Sequence, residues 1–272
     1  MRPLLNKDTR LCISLAGRPS NIGTRFHNYL YDQLGLDFIY KAFTTTDIVA
    51  AIGGVRALGI RGCSVSMPFK EAVIPLVDKV EPSARAIHSV NTIVNDDGRL
   101  TASNTDYIAV QRLIDEHSLE PGDAVLIRGS GGMANAVGAA FRDNGFHSGI
   151  VVARNLEAGR ALADRLGYGY ASDVGDLTAP IIVNVTPIGM AGGPEERDAA
   201  FDEATIANAH TVFDVVALPS ETPLIKAART AGVPVITGAE VIALQAAEQF
   251  ERYTGVRPTS EQVAQASAIS RA

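Results

Sequence analysis

Short apolar runs alternate with helix-like segments along most of this chain. Phe26, Tyr29 and Leu30 recur at three- and four-residue spacing, which is typical of one face of an amphipathic helix. Apolar runs predict short strands at 10–16, 38–43, 62–66, 149–153, 181–185, 212–216 and 233–236, with a further one beginning at Val125. Strands that alternate with helices predict an α/β protein, whose later half holds a parallel, doubly wound sheet.

A turn at Pro121-Gly122 precedes the second series of predicted strands. The length of 272 residues and the hydrophobic content of 46% also fit two domains better than one. The alanine-rich tail from Gly238 onwards predicts helices with no strand to pair, and we expect it to cover the first domain. We therefore place an N-terminal α/β domain at 1–104, completed by 238–272, and a parallel-sheet domain at 105–237.

Charge and cysteine content narrow the classes of partner. The net charge is −6 with Lys and Arg scattered along the chain, so we expect no basic surface that binds nucleic acid. Cys12 and Cys63 lie in apolar segments and make neither a disulfide framework nor a metal-binding set, which suits a reducing cytoplasm. The sequence has no apolar run typical of a signal peptide or a membrane span, so we expect a cytoplasmic protein without a membrane partner.

A glycine-rich turn follows the apolar run that begins at Val125. Gly129 suits the backbone angles of a tight turn, and Gly131 lets the main chain approach a pyrophosphate. Ala134 permits close packing of the helix predicted at 134–141, whose first N–H groups would meet phosphate oxygens. The same spacing also occurs in ordinary turns, but between a strand and a helix it predicts a dinucleotide in a Rossmann-type domain.

The position expected to meet the adenosine ribose carries Arg154 and no carboxylate. This residue follows the strand predicted at 149–153, roughly 25 residues after Gly129. An NAD enzyme usually has Asp or Glu there to accept the free ribose 2′-hydroxyl, whereas a guanidinium pairs with a 2′-phosphate in a planar fork. The sequence therefore favours NADP over NAD.

Two short segments concentrate polar residues that regular structure does not require. They are 64–71, which contains Lys70, and 104–106, which ends in Asp106 before a helical run. Taken alone, Asp106 fits a helix N-cap or first-turn carboxylate, and Lys70 fits an exposed first-turn residue of a helix begun by Pro68. Beside a nicotinamide, Lys70 and Asp106 also suit proton transfer, because a secondary alcohol must lose its hydroxyl proton as the hydride leaves.

Several short motifs stand in order along nearly the whole chain. They read GCSVSMPFKE, SVNTI, SNTD, GSGG, NVTPIGM, PSETPL and QAAEQF, at 62–71, 89–93, 103–106, 129–132, 184–190, 219–224 and 245–250. In order and spacing these motifs resemble the shikimate and quinate dehydrogenase family. The resemblance implies a substrate-binding catalytic N-terminal domain, an NADP-binding Rossmann domain and a place in aromatic amino acid biosynthesis.

The resemblance also implies roles for single residues. Lys70 and Asp106 would form the catalytic pair, and because such a pair titrates as a unit, the sequence does not assign the base between them. Ser66, Asn91 and Gln245 would hydrogen-bond a cyclic hydroxy acid. Cofactor contacts would fall on Arg154 and on Gly129, Ser130, Gly131, Gly132, Met133, Ala134, Asn155, Thr186, Met190 and Gly238. Core packing is the simpler interpretation of Met190. No metal ion is implied, and we expect a monomer or homodimer.

The loop after the first strand departs from the biosynthetic shikimate dehydrogenases. Those enzymes carry Ser-x-Ser-Pro there, and the two hydroxyls receive the substrate carboxylate. In this chain Asn21 and Gly23 stand at the two serine positions. The carboxylate is then left to Ser20, Asn21, Thr24 or Arg18, although Ser20 also fits a simple turn residue.

Two further departures lie at the substrate and cofactor positions. Ala217 replaces a tyrosine that contributes a hydroxyl, and Ala153 and Asn155 replace the usual neighbours of Arg154. Each lost polar contact costs about 1–3 kcal/mol, so we predict low efficiency with shikimate. These departures resemble the shikimate dehydrogenase-like branch of the family.

The sequence leaves three functions open. The first is an NADP-dependent oxidoreductase that interconverts shikimate, or a close analogue, and its 3-dehydro ketone. The second is an enzyme of the same kind that acts on quinate or an amino-shikimate. The third is a ligand sensor without catalysis, which Lys70 and Asp106 argue against because a sensor needs no proton-transfer pair.

Overall fold

The computed structural model describes residues 3–271 and divides into two compact units. The first unit consists of the residues up to Thr105 and those from Ala243 onwards, and the second is Asp106–Ile242. Among the described residues, each unit contains one six-stranded sheet. The chain thus enters the second unit directly after Thr105 and leaves it inside the helical tail.

The first unit is built on a mixed sheet. Its strands are β1 (Arg10–Ala16), β2 (Phe38–Thr44), β3 (Gly62–Val65), β4 (Lys79–Val80), β5 (Thr92–Asp96) and β6 (Arg99–Ser103). Their order is β2-β1-β3-β5-β6-β4, with β1 parallel to β2 and β3 and with β5 antiparallel to β3 and β6. The first three strands were predicted. The hairpin β5–β6 was not, although its Asp97-Gly98 turn is a known hairpin signal.

Helices cover both faces of this sheet, because neighbouring residues of a strand point to opposite faces. The helices are α1 (Ile22–Leu34), α2 (Ile48–Ala57) and α3 (Pro82–Arg85). Cys12 of β1 is buried in one core with Phe26 of α1, whereas Ile13 is buried in the other with Val55 of α2. One strand therefore supplies both hydrophobic cores of the unit.

The second unit is a doubly wound parallel sheet. Its strands are β7 (Val125–Arg128), β8 (Gly149–Val152), β9 (Gly169–Ala171), β10 (Ile181–Asn184), β11 (Thr211–Asp214) and β12 (Val235–Thr237). They are all parallel, in the order β12-β11-β10-β7-β8-β9. The helix α4 (Thr105–Glu116) precedes β7, and the helices between the strands are α5 (Gly132–Asp143), α6 (Leu156–Leu166), α7 (Glu203–Ala207) and α8 (Pro223–Thr230). The strand order reverses between β7 and β10, which is where such sheets bind ligands.

The helical tail consists of α9 (Gly238–Thr254) and α10 (Ser260–Arg271). Phe250 and Tyr253 of α9 and Ala266 of α10 are fully buried in the core that contains Cys12 and Phe26. The tail therefore completes the hydrophobic core of the first unit.

Some local predictions were wrong or incomplete. No helix begins at Pro68 in the described chain: Lys70 lies in a series of turns that ends in a 3-10 helix at Ile74–Leu76. The strand β9 was not foreseen, because three residues are too few for a periodic pattern. Within residues 3–271, no helix has both the length and the apolar character needed to cross a membrane.

Candidate functional site

The glycine-rich turn joins β7 to α5 and leaves room for a ligand. Gly129 has φ +127°, and a Cβ there would lie 2.8 Å from Val185 Cγ2 and 2.9 Å from the Val185 carbonyl oxygen. Only glycine fits such a position. A Cβ at Gly131 or Gly132 would meet nothing within 4 Å, and Gly131 precedes α5 without a side-chain cap. The first N–H groups of α5 therefore face an open space that suits an anion.

A cavity of about 560 Å³ lies at this turn, where the ends of β7, β8 and β10 meet. It is lined by Arg128, Gly129, Ser130, Gly131, Val152, Ala153, Arg154, Asn155, Ser172, Asp173, Val185, Thr186, Pro187 and Ile188. Six of the residues predicted to bind a cofactor are in this lining: Gly129, Ser130, Gly131, Arg154, Asn155 and Thr186. The fold thus brings together segments that lie far apart in the sequence.

Arg154 lines this cavity and has a charged side chain beside it. Its side chain is 78% exposed, and its Nη1 lies 3.6 Å from Oε1 of Glu195. Asn155 is the N-cap of α6, and its side-chain oxygen accepts a hydrogen bond from the N–H of Ala158 at 3.1 Å. The guanidinium proposed from sequence to meet a phosphate therefore has a carboxylate neighbour within the chain.

A buried polar network supports the wall formed by Thr186. The Thr186 hydroxyl donates to Asn184 Oδ1 at 2.6 Å, and Asn184 Nδ2 donates to Asp214 Oδ1 at 2.9 Å. Asp214 also accepts from the Thr222 hydroxyl at 2.7 Å. Burial raises the pKa of the Asp214 carboxyl above its usual range, although the hydrogen bonds it accepts oppose this shift. These contacts fix the loop after β10 at the cavity.

The remaining predicted cofactor residues do not line this cavity. Gly132, Met133 and Ala134 lie in the first turns of α5, where Ala134 is fully buried against the unit. Met190 is 43% exposed in the loop after β10, so the interpretation of this residue as core packing was wrong. A Cβ at Gly238 would lie 2.4 Å from the carbonyl oxygen of Val215, so close backbone packing alone accounts for that glycine.

The first unit gathers several of the predicted substrate residues around Asn91. Asn91 Oδ1 accepts hydrogen bonds from the Thr105 backbone N–H at 2.8 Å and from the Thr92 hydroxyl at 2.8 Å. Gln245 Nε2 lies 3.1 Å from the Thr105 hydroxyl, which in turn lies 3.1 Å from Asn91 Oδ1. Asn91 and Gln245, which are 154 positions apart in the chain, are therefore joined through one threonine.

Thr105 also determines where Asp106 stands. Thr105 is the first residue of α4, and Asp106 follows it in the first turn, as one of the two sequence interpretations predicted. Asp106 and Lys70 are both half-buried and both have partners within the chain. Ser66, which follows β3, is exposed.

The loop that departs from the family pattern places Arg18 near Ser66. A shallow pocket of about 360 Å³ is lined by Gly17, Arg18, Ser66, Met67 and Pro68. Ser20 and Asn21, two of the four residues predicted to meet the substrate carboxylate, do not line it and are exposed. Of the four candidates in this loop, Arg18 is therefore the one that shares a pocket with a predicted substrate residue.

Two buried hydroxyl groups lie at or beside Gly23 and Thr24. A Cβ at Gly23 would lie 3.5 Å from the hydroxyl oxygen of Tyr40, whose side chain is buried. Burial raises the pKa of Tyr40, and hydrogen bonds with Ser14 and Ser64 oppose this shift. The Thr24 hydroxyl is buried without a hydrogen-bond partner among the described residues.

Sequence reasoning missed residues that the fold brings to both sites. Ser172 and Asp173 follow β9 and line the cavity, and Glu195 faces Arg154. In a parallel sheet the residues after each strand gather at one edge, so prediction of β9 would have indicated the first two. Thr92 and Gln249 contact Asn91, but nothing in their local sequence pattern indicates this contact.

Comparison with known proteins identifies relatives over most of the chain. Residues 21–93 match the family described as the shikimate dehydrogenase substrate binding domain. The shikimate dehydrogenase-like protein of Haemophilus influenzae is 59% identical over 268 residues, which cover 98% of this chain and 99% of that protein. The NADP(+) shikimate dehydrogenase of a Geobacter species is 36% identical over 85% of each chain.

A solved structure matches nearly the whole chain. Shikimate 5-dehydrogenase of Thermus thermophilus, in complex with NADP(H) and shikimate, superposes with a TM-score of 0.84 at 25% identity, over 96% of this chain and 99% of that one. The fold is therefore that of the family, with a substrate-type α/β part and a Rossmann-type part. The chain belongs to the shikimate dehydrogenase family.

Proposed function

We propose that this protein is an NADP-dependent oxidoreductase that interconverts shikimate, or a close cyclic hydroxy-acid analogue, and its 3-dehydro ketone. The observation that carries the proposal is the combination of two arrangements in one family member. One is the open glycine turn with its 560 Å³ cavity, and the other is the hydrogen-bonded group around Asn91. The proposal assigns cofactor binding to the second unit and substrate binding to the first.

The residues of the cavity fit an NADP molecule. The space above Gly131 admits a pyrophosphate next to the N–H groups of α5, and Arg154 and Asn155 follow β8, where the ribose is expected. The guanidinium of Arg154 would pair with the 2′-phosphate, and the Thr186 loop would form the opposite wall. NADP, when bound, accepts or supplies the hydride.

The chain's own residues would manage the proton and the orientation of the substrate. Lys70 and Asp106 would remove the hydroxyl proton in alcohol oxidation and return it in ketone reduction. Asn91 and Gln245 would hydrogen-bond the ring hydroxyls, with Ser66 as a further donor. Support for these roles comes from the family motifs and from the bond between Thr105 and Asn91, because Thr105 immediately precedes Asp106.

We propose low efficiency with shikimate itself, because the carboxylate meets different groups in this chain. Two serine hydroxyls are replaced by a loop whose Arg18 lines a pocket with Ser66. Ala217, which is buried, cannot supply the hydroxyl of the family's tyrosine. A guanidinium binds a carboxylate as a bidentate fork, with a geometry that two hydroxyls do not share. An analogue with another arrangement around its carboxylate, such as quinate or an amino-shikimate, is the second candidate substrate.

A substrate panel with NADP⁺ and NAD⁺ as hydride acceptors tests the proposal. Shikimate, quinate and an amino-shikimate would be oxidised while absorbance of the reduced cofactor is recorded, in the wild type and in Lys70→Met and Asp106→Asn. We expect turnover with at least one member, and a loss of turnover of about a hundredfold or more in either variant. Cofactor binding, measured by calorimetry, should stay near the wild-type value.

Distinct outcomes would contradict distinct parts of the proposal. A wild type that binds NADPH and panel members but turns over none would favour a ligand sensor. Near wild-type turnover in Lys70→Met or Asp106→Asn would remove that residue from the catalytic pair. Shikimate oxidation with kcat/KM of about 10⁶ M⁻¹s⁻¹ or more would contradict the proposed low efficiency. Lys79→Met, at an exposed lysine of the same unit, serves as the control variant.

A further inference from the structure

A buried chain of hydrogen bonds runs from α9 to Asn91. Gln249 Nε2 lies 2.9 Å from the Thr92 hydroxyl and 3.3 Å from the Asn91 backbone oxygen. The Thr92 hydroxyl lies 2.8 Å from Asn91 Oδ1. Thr92 is fully buried and Gln249 is 4% exposed, so water does not compete for these contacts. Neither side chain belongs to the proposed substrate contacts.

The chemistry of the partners fixes the direction of each bond. A backbone oxygen only accepts, so the Gln249 atom that faces the Asn91 oxygen is its NH₂ group. The Thr92 hydroxyl accepts from that same group and is left to donate its proton to Asn91 Oδ1. The Thr105 backbone N–H only donates, so it also requires the amide oxygen of Asn91 on its side.

The result is a single orientation of the Asn91 side chain. Its oxygen accepts from Thr92 and from both the N–H and the hydroxyl of Thr105. Its amide nitrogen makes no hydrogen bond to the described residues 3–271, so both N–H donors remain for a ligand. A flipped amide would bring its N–H groups against the Thr105 N–H and would lose the bond from Thr92.

We propose that Thr92 and Gln249 are positioning residues, which hold the Asn91 amide with its donors toward the substrate hydroxyls. The inference rests on the proposed dehydrogenase function. Because the same Asn91 oxygen binds the N–H of Thr105, the chain of bonds also fixes the start of α4, directly before Asp106. Thr92 and Gln249 thus act through Asn91 and do not touch the reacting atoms.

The variants Thr92→Val and Thr92→Ser test this inference. Valine keeps the shape of the strand residue but removes the hydroxyl, whereas serine keeps the hydroxyl. We expect the KM for the hydroxy acid to rise about five- to tenfold in Thr92→Val, the scale of one lost buried hydrogen bond, with the KM for NADP unchanged. Thr92→Ser should restore most of the difference. Thr101→Val on β6 is the matched control, since the Thr101 hydroxyl lies outside this chain of bonds.

A second measurement does not depend on turnover. Hydrogen exchange of the Thr105 amide should be faster in Thr92→Val than in Thr92→Ser or Thr101→Val, because its acceptor loses its support. Gln249→Met supplies the same two readouts if Thr92→Val fails to fold. Unchanged substrate KM together with a lower Tm would reduce Thr92 to a structural role and overturn the inference. Equal Thr105 exchange in the valine and serine variants would overturn it as well. A wild type inactive on the whole panel would instead overturn the proposed function, and the exchange result would still decide whether Thr92 holds Asn91.

Discussion

The two units of this protein differ in how the residues of their proposed binding sites are distributed along the sequence. In the second unit the backbone groups proposed to bind the cofactor phosphates belong to one strand-turn-helix segment, from β7 through Gly129 and Gly131 into α5. In the first unit the corresponding group is assembled from β5, from the start of α4 and from α9. Backbone geometry makes the first kind of site, and a network of side chains makes the second.

The difference lies in what each site must recognise. Phosphate is bound by N–H groups that every helix start provides, so a few small residues that clear the space are sufficient. A ring with several hydroxyls needs donors and acceptors of fixed direction. In our proposal the Asn91 amide, held by hydrogen bonds to its oxygen from Thr92 and Thr105, supplies such direction at the expense of burying polar groups.

The largest effect that would sharpen this comparison comes from glycine substitutions in the second unit. Gly129→Ala places a Cβ 2.8 Å from the Val185 side chain in a backbone region that favours glycine, so we expect it to lower both stability, by about 1–3 kcal/mol, and NADPH affinity. Gly131→Ala meets no protein atom and should lower affinity alone. Chemical denaturation and calorimetry separate the two effects.

Gly238→Ala extends the test to a predicted cofactor residue outside the cavity. Its Cβ would lie 2.4 Å from the Val215 carbonyl oxygen, so stability should fall. NADPH affinity of the folded fraction should stay at the wild-type value. If instead affinity falls and stability does not, Gly238 belongs with the ligand-facing residues. Stability loss in Gly131→Ala would likewise contradict the division between glycines that serve the fold and glycines that face the ligand.

A buried histidine of the first unit should make the stability of the protein depend on pH. The imidazole of His27 is fully buried and stacks on Tyr40 with ring centroids 4.4 Å apart, and burial lowers the pKa of His27 from 6.5 to about 3. The His27 imidazole therefore binds a proton below about pH 6.5 in the unfolded chain, but only below about pH 3 in the folded chain. We expect the free energy of unfolding to decrease by about 1.4 kcal/mol for each unit by which the pH is lowered within that window.

Two variants separate the contribution of His27 to the pH dependence of stability from that of the Asp and Glu carboxylates. His27→Phe keeps an aromatic ring in the stack and should flatten the pH dependence between 6.5 and 4.5 in urea unfolding experiments. His147→Gln, at an exposed histidine of the second unit, should leave it unchanged. A pH dependence that survives in His27→Phe would mean that other groups cause it.

More of the second unit than of the first could be predicted from the sequence. The parallel sheet and the glycine turn are local patterns, and the sequence indicated them together with Arg154. The role of Asn91 came from the family motif, whereas its support by Thr92 and Gln249 depends on residues 157 positions apart. Neither hydrophobic periodicity nor motif spacing predicts a hydrogen bond between side chains that lie so far apart in the sequence. Glu195 was missed for a similar reason, because a long loop brings it to Arg154.

The smallest expected effect concerns that pair of charges. Arg154 is 78% exposed and its nitrogen lies 3.6 Å from the Glu195 carboxylate, so the bond itself contributes little to stability. It does matter to a 2′-phosphate, which would have to share the guanidinium with a like-charged neighbour. We therefore expect Glu195→Gln to tighten NADPH binding by about two- to fivefold, the scale of an exposed charge pair, and to leave NADH binding unchanged.

A double-mutant cycle assigns the effect of Glu195 to Arg154. Arg154→Ala should weaken NADPH binding while it spares NADH, and Glu195→Gln should have no further effect in that background. Calorimetric titrations at low and high salt give the four affinities, and the gain in Glu195→Gln should shrink as salt screens the charges. Glu196→Gln, at the adjacent carboxylate, which pairs with Arg197, is the matched control. If Glu195→Gln weakens the binding of both cofactors, the carboxylate supports the ribose site and does not compete with the phosphate. The local pattern around Arg154 would then have misidentified the residue that selects the cofactor, and the second unit would be no easier to interpret from sequence than the first.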